Sequence, residues 1–124
     1  VRPPFRYKPW HVRGSGSINS RGGGPLTAIY SATKAALESL TASLARDLGP
    51  RGVRVVGAAP GQTDTEMVRR VNPPERLRAG VERTPLGRLG QSEEIAAVVA
   101  FLASDEARWI TRETIHANGG QRRS

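Results

Sequence analysis

Cysteine is absent from the 124 residues. Its absence excludes disulfides, Cys-based zinc sites and thiol nucleophiles together, and it fits a reducing compartment. Lysine is nearly absent as well: Lys8 and Lys34 are the only two among nineteen cations, the rest being Arg. Aromatic residues form 5% of the chain. Long apolar runs are also missing. No stretch approaches the roughly 18 residues that span a bilayer, and the opening segment with Pro3, Pro4 and Pro9 holds no signal-peptide apolar run. The two histidines, His11 and His116, lack metal-ligand spacing, so no metal site is expected. These exclusions leave a soluble, cytoplasmic protein without a membrane span as the expectation. Residue 1 is Val rather than Met, and an incomplete chain is expected.

The net charge of +8 is unevenly placed. Residues 1–23 carry five cations and no acid, residues 24–120 carry twelve cations against eleven acids, and Arg122 and Arg123 close the chain. The body is therefore close to neutral and the ends are basic. In the first segment Arg2, Arg6, Lys8 and Arg13 interleave with Phe5, Tyr7 and Trp10, the mixture that single-strand-binding surfaces use. That charge sits in a Pro-rich flank rather than on a patterned element, which argues against nucleic acid as the partner. The expected organisation is a basic Pro/Gly-rich segment with a remnant strand over 1–25, a folded body over 26–121 and a basic tail over 122–124.

The body opens with Ile29, Leu37, Leu40, Leu44 and Leu48 at three- and four-residue steps, with Ala32, Ala35, Ala36, Ala42 and Ala45 between them. This predicts an amphipathic helix of about twenty residues, stopped at Gly49-Pro50. Residues 53–58 read as a short apolar strand, and a helix, a tight turn and an apolar strand in series suggest an α/β unit with a buried parallel sheet. Short helices are expected over 63–70 and, starting at Pro74, over 75–82. Ser92 reads as the N-cap of a helix carrying Ile95, Val98, Val99 and Leu102, and residues 113–117 as a second strand.

One local pattern carries chemistry. Tyr30-Ser31-Ala32-Thr33-Lys34 places a phenol and an ammonium one helical turn apart on one face. A nearby cation favours the phenolate and makes a phenol useful for proton transfer near neutral pH. The same pair also occurs as an ordinary packing of Tyr over a Lys stem.

Its surroundings are more specific. After the helix and strand come Pro60-Gly61-Gln62-Thr63-Asp64-Thr65-Glu66-Met67, then Pro85-Leu86-Gly87-Arg88-Leu89-Gly90 and Glu93-Glu94-Ile95-Ala96. Phe101-Leu102-Ala103-Ser104-Asp105 and Thr114-Ile115-His116-Ala117-Asn118-Gly119-Gly120 complete the series. In order and spacing, residues 14–121 resemble the C-terminal half of the short-chain dehydrogenase/reductase family. The resemblance implies a partial Rossmann-type, doubly wound parallel sheet of α/β class lacking its N-terminal strands. It implies hydride transfer between NAD or NADP and a small carbonyl or alcohol substrate. Tyr30 then matches the family's acid/base, and Lys34 the residue that favours its phenolate and holds the nicotinamide ribose. Pro60, Gly61, Thr63 and Thr65 match the loop bordering the nicotinamide, although helix capping explains the two threonines equally well. Residues 66–82 match the variable lid, and the helix Ala28–Leu48 resembles the family's dimer-forming helix, which implies a homo-oligomer.

The sequence also departs from the family. The catalytic Ser corresponds to Ser20 by its neighbours or to Ser17 by its distance from Tyr30. The Gly-rich turn that holds the dinucleotide phosphates, the acid that reads the adenosine ribose and the catalytic Asn have no counterpart. Arg112 stands where the family has Gly, and Asn118 where it has Asp. An oxidoreductase that is inactive alone is therefore expected, with a noncatalytic oligomerisation subunit or a basic nucleic-acid binder as alternatives. The apolar stripe of the long helix is expected to lack part of its cover, leaving the chain marginally stable.

Overall fold

The computed structural model of the chain describes residues 28–121. The element order is α1 (Ala28–Leu48), β1 (Gly57–Pro60), α2 (Glu66–Val71), α3 (Pro74–Glu82), α4 (Ser92–Ala103) and β2 (Thr114–Ala117). The expected remnant strand around Ser17 to Ser20, the basic segment 1–25 and the tail 122–124 lie outside the described residues.

α1 forms where alanines and leucines alternate without a break, and it ends as expected. Gly49, Pro50 and Arg51 make one 3-10 turn, and Gly52 then takes a left-handed φ of 75°, its N–H donating to the Gly49 carbonyl. Only Thr41 and Ala45 are buried along the helix, while Ile29 remains 83% exposed and Leu40 45%. The stripe is thus covered at its C-terminal end and open at its N-terminal end.

β1 and β2 pair in parallel with Gly57 opposite Thr114 and Pro60 opposite Ala117. Parallel pairing requires a long crossover, and α2, α3 and α4 supply it. The first strand lies further along the chain than its apolar run suggests. Val55 and Val56 are fully or nearly fully buried, yet Val55 bonds to a turn rather than to a ladder. Its N–H donates to Thr111 Oγ1 at 3.1 Å, and its carbonyl accepts from Arg112 N–H at 2.8 Å. The ladder begins when Gly57 N–H reaches the Glu113 carbonyl at 2.8 Å. Burial and pairing are decided by different neighbours here, and the apolar run reports only the first.

Two helix starts also differ from expectation. Residues 63–65 do not join α2, because Thr63 bridges to Gly90 and Asp64 N–H donates to the Gly90 carbonyl. The helix instead starts at Glu66 behind a Thr65 N-cap, whose hydroxyl accepts from Val68 N–H at 3.2 Å. α4 is capped from Gln91 rather than Ser92: the Glu94 carboxylate accepts from Gln91 N–H at 2.9 Å and holds the first turn closed.

The buried apolar side chains are mostly small: Ala45, Val55, Val56, Ala59, Leu102 and Ala107. Arg54 ties this core together. Its guanidinium donates to the carbonyls of Leu102, Ser104 and Ile110 at 3.0 to 3.2 Å, capping the C-terminus of α4. These acceptors include carbonyls that the end of a helix leaves without intrahelical partners. Among the described residues no helix is long and apolar enough to cross a membrane, and no group of three or more His, Asp or Glu is placed to hold a metal ion.

Candidate active site

Tyr30 and Lys34 stand in the first two turns of α1. The Lys34 ammonium nitrogen lies 5.4 Å from the centroid of the Tyr30 ring, within cation–π range. Helical spacing places both on the stripe that continues to the buried Thr41 and Ala45. The pair therefore lies on the core-facing side of α1, along the part of that side that is open. Tyr30 is 48% exposed and Lys34 is half-buried.

A second group lies at the C-terminal end of β1. Pro60 ends the strand, and Gly61 N–H donates to the Ala117 carbonyl at 3.0 Å. Gly61 lies so close to the partner strand that a Cβ there would sit 2.7 Å from Asn118 Cα. The requirement for Gly at this position thus comes from the turn that follows the second strand. Thr63 donates its hydroxyl proton to the Gly61 carbonyl at 3.1 Å, which leaves its lone pairs as acceptors. Thr65 is occupied as the cap of α2. Ser20 and Ser17 lie outside the described residues.

Beside this loop is a cavity of about 230 Å³, walled by Gln62, Thr84, Leu86, Ile95, Val98 and residues 116–120 among others. Arg88 and Glu94 border it as a two-pronged ion pair with both contacts at 2.7 Å. Hydrogen bonds from Arg88, then from the Gln91 N–H, hold the Glu94 carboxyl down to about 2. On the other side of the loop, Arg69 grips both carboxylate oxygens of Asp64, and that hydrogen bonding lowers the Asp64 pKa. Gln62, Arg88 and Glu94 belong to the matched motifs without an expected site role, although the i, i+6 charge pair across a helix start is a signal that marks the last two.

The two departures near the end of the chain have structural counterparts. Arg112 adopts φ 66°, the left-handed region that Gly favours. Asn118 uses both ends of its amide to close the turn after β2: Nδ2 donates to the Gln121 carbonyl at 2.9 Å, and Oδ1 accepts from Gly120 N–H at 3.0 Å. An Asp there would keep only the second bond.

Comparison with known proteins agrees with this architecture. Residues 14–122 match the family model described as enoyl-(acyl carrier protein) reductase. The 3-oxoacyl-(acyl-carrier-protein) reductase FabG of Salmonella typhimurium is 47% identical over 106 residues, covering 85% of this chain and 43% of the relative. A 7α-hydroxysteroid dehydrogenase, solved with NADH and 7-oxo glycochenodeoxycholic acid, superposes with a TM-score of 0.86 at 31% identity, covering 92% of this chain and 45% of its own. The angucycline C-6 ketoreductase LanV, solved with NADP, superposes with a TM-score of 0.80 at 34% identity, covering 90% and 43%. The chain spans less than half the length of these relatives. The matched motifs, the parallel strand pair and these superpositions, taken together, show that the chain belongs to the short-chain dehydrogenase/reductase family.

Proposed function

We propose that this chain carries the proton-transfer half of an NAD(P)-linked oxidoreductase acting on a small carbonyl or alcohol substrate. The observation that carries the reading is the Tyr30–Lys34 pair on one open stripe of α1, in a chain of this family. The donor set fits one end of a dinucleotide. The Lys34 ammonium suits the hydroxyls of a ribose, and the Thr63 hydroxyl, already donating to Gly61, keeps its lone pairs for an amide N–H. Pro60 and Gly61 form the backbone edge of that loop, and Thr65 shapes it by fixing where α2 starts. Among the described residues no Gly-rich turn links a strand to a helix in the manner that cradles phosphates, so that part of the cofactor falls to other residues.

When bound, NAD(P) supplies the hydride that adds to the carbonyl carbon. The Tyr30 phenol delivers the proton to the carbonyl oxygen as the C=O bond becomes C–O–H, and it is left as phenolate. The positive charge of Lys34 steadies that phenolate until solvent returns the proton. In the alcohol-oxidising direction Tyr30 accepts the same proton. Ser20 is the residue we assign to hold the substrate oxygen beside Tyr30. One of the structures named above was solved with NADH and another with NADP, and we assign the choice between them to the segment that holds the adenosine end.

Because the chain spans less than half the length of its relatives, we propose that it turns over only together with a segment carrying the Gly-rich turn. The exposed Ile29 and Leu40 of α1 support self-association through this helix. The test pairs the chain with such a segment, supplied in frame or as a second polypeptide, and follows NAD(P)H consumption with a small ketone. Turnover should appear only in the pair and fall by about two to four orders of magnitude in Tyr30→Phe. Full turnover by Tyr30→Phe would end the assignment, and micromolar binding of NADH by the chain alone would end the claim that the second segment is needed.

A further inference from the structure

The sequence has three asparagines, Asn19, Asn72 and Asn118. Asn72 precedes Pro73, which has no N–H. Asn118 precedes Gly119, whose amide nitrogen no side chain shields. The fold requires both members of that last pair. Gly119 and Gly120 take φ of 62° and 83°, and a Cβ on Gly119 would lie 2.7 Å from Thr84 Cγ2. Asn118 closes the same turn with both ends of its amide, donating to the Gln121 carbonyl and accepting from Gly120 N–H. Gly119 N–H donates to no protein acceptor among the described residues. No bond within the fold therefore has to break before that nitrogen loses its proton. Residues 118–120 border the cavity, and Gly120 is exposed, so water reaches the turn.

We infer that Asn118-Gly119 is a self-modification site, at which the chain deamidates through a cyclic imide and places an acid in the cavity wall. The Gly119 nitrogen gives its proton to water or hydroxide and attacks Asn118 Cγ. The N–Cγ bond forms, the Cγ–Nδ2 bond breaks, and Nδ2 takes up a proton and leaves as ammonia. One water then opens the imide. Addition at Cγ restores the backbone and leaves an aspartate; addition at the main-chain carbonyl carbon leaves an isoaspartate, with the chain running through Cγ. One water enters and one ammonia leaves, with no oxidation. The two bonds of the Asn118 side chain act in opposite directions. Gly120 N–H donates to Oδ1, where negative charge grows as the nitrogen adds, and favours the attack. The Gln121 carbonyl holds Nδ2 and must release it before ammonia leaves, which slows the reaction. Either product loses the Gln121 bond and brings a negative charge into the wall that also carries Arg88. An isoaspartate also lengthens the backbone where Asn118 Cα abuts Gly61. This chemistry does not depend on the oxidoreductase reading.

The test is warm, mildly alkaline incubation of the full chain in heavy-oxygen water, folded and in urea, followed by trypsin and mass spectrometry. The tryptic peptide 113–122 has Asn118 as its single asparagine, and the peptide 71–76 carries Asn72 as the control. The first should gain an acid group bearing heavy oxygen, which dates the change to the incubation, and part of it should be a substrate for isoaspartate methyltransferase. The control peptide should stay unchanged. Conversion in the folded chain should be about three to ten times slower than in urea, the worth of the one bond to Gln121. Gly119→Ala should slow conversion in urea by about tenfold or more, where the clash with Thr84 plays no part. No acid at residue 118 of the folded chain once the urea sample has converted would overturn the inference, and so would an equal gain in peptide 71–76. Acid formed in urea without isoaspartate would overturn it as well, since water would then have attacked the side chain directly. A folded rate equal to or above that in urea would remove the role given to the Gln121 bond.

Discussion

Replacing Arg54 with Met removes the guanidinium and keeps most of the stem, so it isolates the three hydrogen bonds to Leu102, Ser104 and Ile110. Each bond from a charged donor contributes roughly 1.5–3 kcal/mol when it stands alone. Here one half-buried guanidinium serves all three and each is partly screened by water, so the sum is expected near 2–3 kcal/mol. Part of that loss is the desolvation of the α4 carbonyls left behind. In urea, with a slope of about 1 kcal/mol/M for a chain of this size, the midpoint should fall by about 2 M with the slope unchanged. Far-UV circular dichroism is the appropriate probe, because Trp109 is 97% exposed and would report little of the unfolding. Arg54→Lys should recover less than half, since one ammonium cannot span three carbonyls on two segments. A loss under about 0.5 kcal/mol for Met, or full recovery by Lys, would refute the view that this side chain ties α4 to the strand pair.

Arg112→Gly relieves a left-handed φ of 66° and should stabilise the fold by about 0.5–1 kcal/mol after the extra freedom of Gly in the unfolded chain is counted; a loss in urea midpoint would contradict this. Gly61→Ala forces the new Cβ to within 2.7 Å of Asn118 Cα and should cost about 1–3 kcal/mol, read as a lower melting temperature. Glu94→Gln tests the ion pair with Arg88 through pH. The Glu94 carboxyl sits near 2 against a usual 4.5, so its stabilisation is complete above pH 4.5 and disappears as pH falls through 2. Unfolding curves of the two proteins should therefore differ most at neutral pH and converge between pH 4.5 and 2; a gap that persists at pH 2 would exclude the pair as its source.

Much of this arrangement was legible in the sequence, and the exceptions share a cause. Helices with strong internal periodicity were placed to within a residue or two: α1 ends at Leu48 as Gly49-Pro50 requires, and α3 starts at Pro74. What failed depended on partners distant in the chain. The apolar run 53–56 is buried, but the ladder starts at Gly57 because Thr111 and Arg112 take the bonds of Val55. Thr63 and Asp64 look like a helix start until Gly90 captures them. Arg54 resembles a strand-surface cation until three carbonyls, about fifty residues further along the chain, converge on it. Arg112 is a different case. Its mismatch with the family pattern gave no backbone angle, and the φ of 66° in the structure supplies the reason a Gly suits that position.

This comparison also weighs the candidate site residues against one another. Two residues of the loop motif have their type explained within the fold: Gly61 leaves room for Asn118, and Thr65 caps α2. Their presence would be required even in a protein without chemistry, so they add little to a catalytic reading. Thr63 is intermediate, since its bond to Gly61 steadies the loop without demanding a hydroxyl at that position. Tyr30 and Lys34 are different. They sit on the open half of the α1 stripe, where neither a phenol nor an ammonium fills a core position, and an Ala at each would satisfy the helix better. A residue type that the fold does not require, kept on the core-facing side of a helix beside its electrostatic complement, carries a functional argument in a way that a structurally required glycine cannot. The proposed chemistry therefore rests on Tyr30 and Lys34 first and on the loop second.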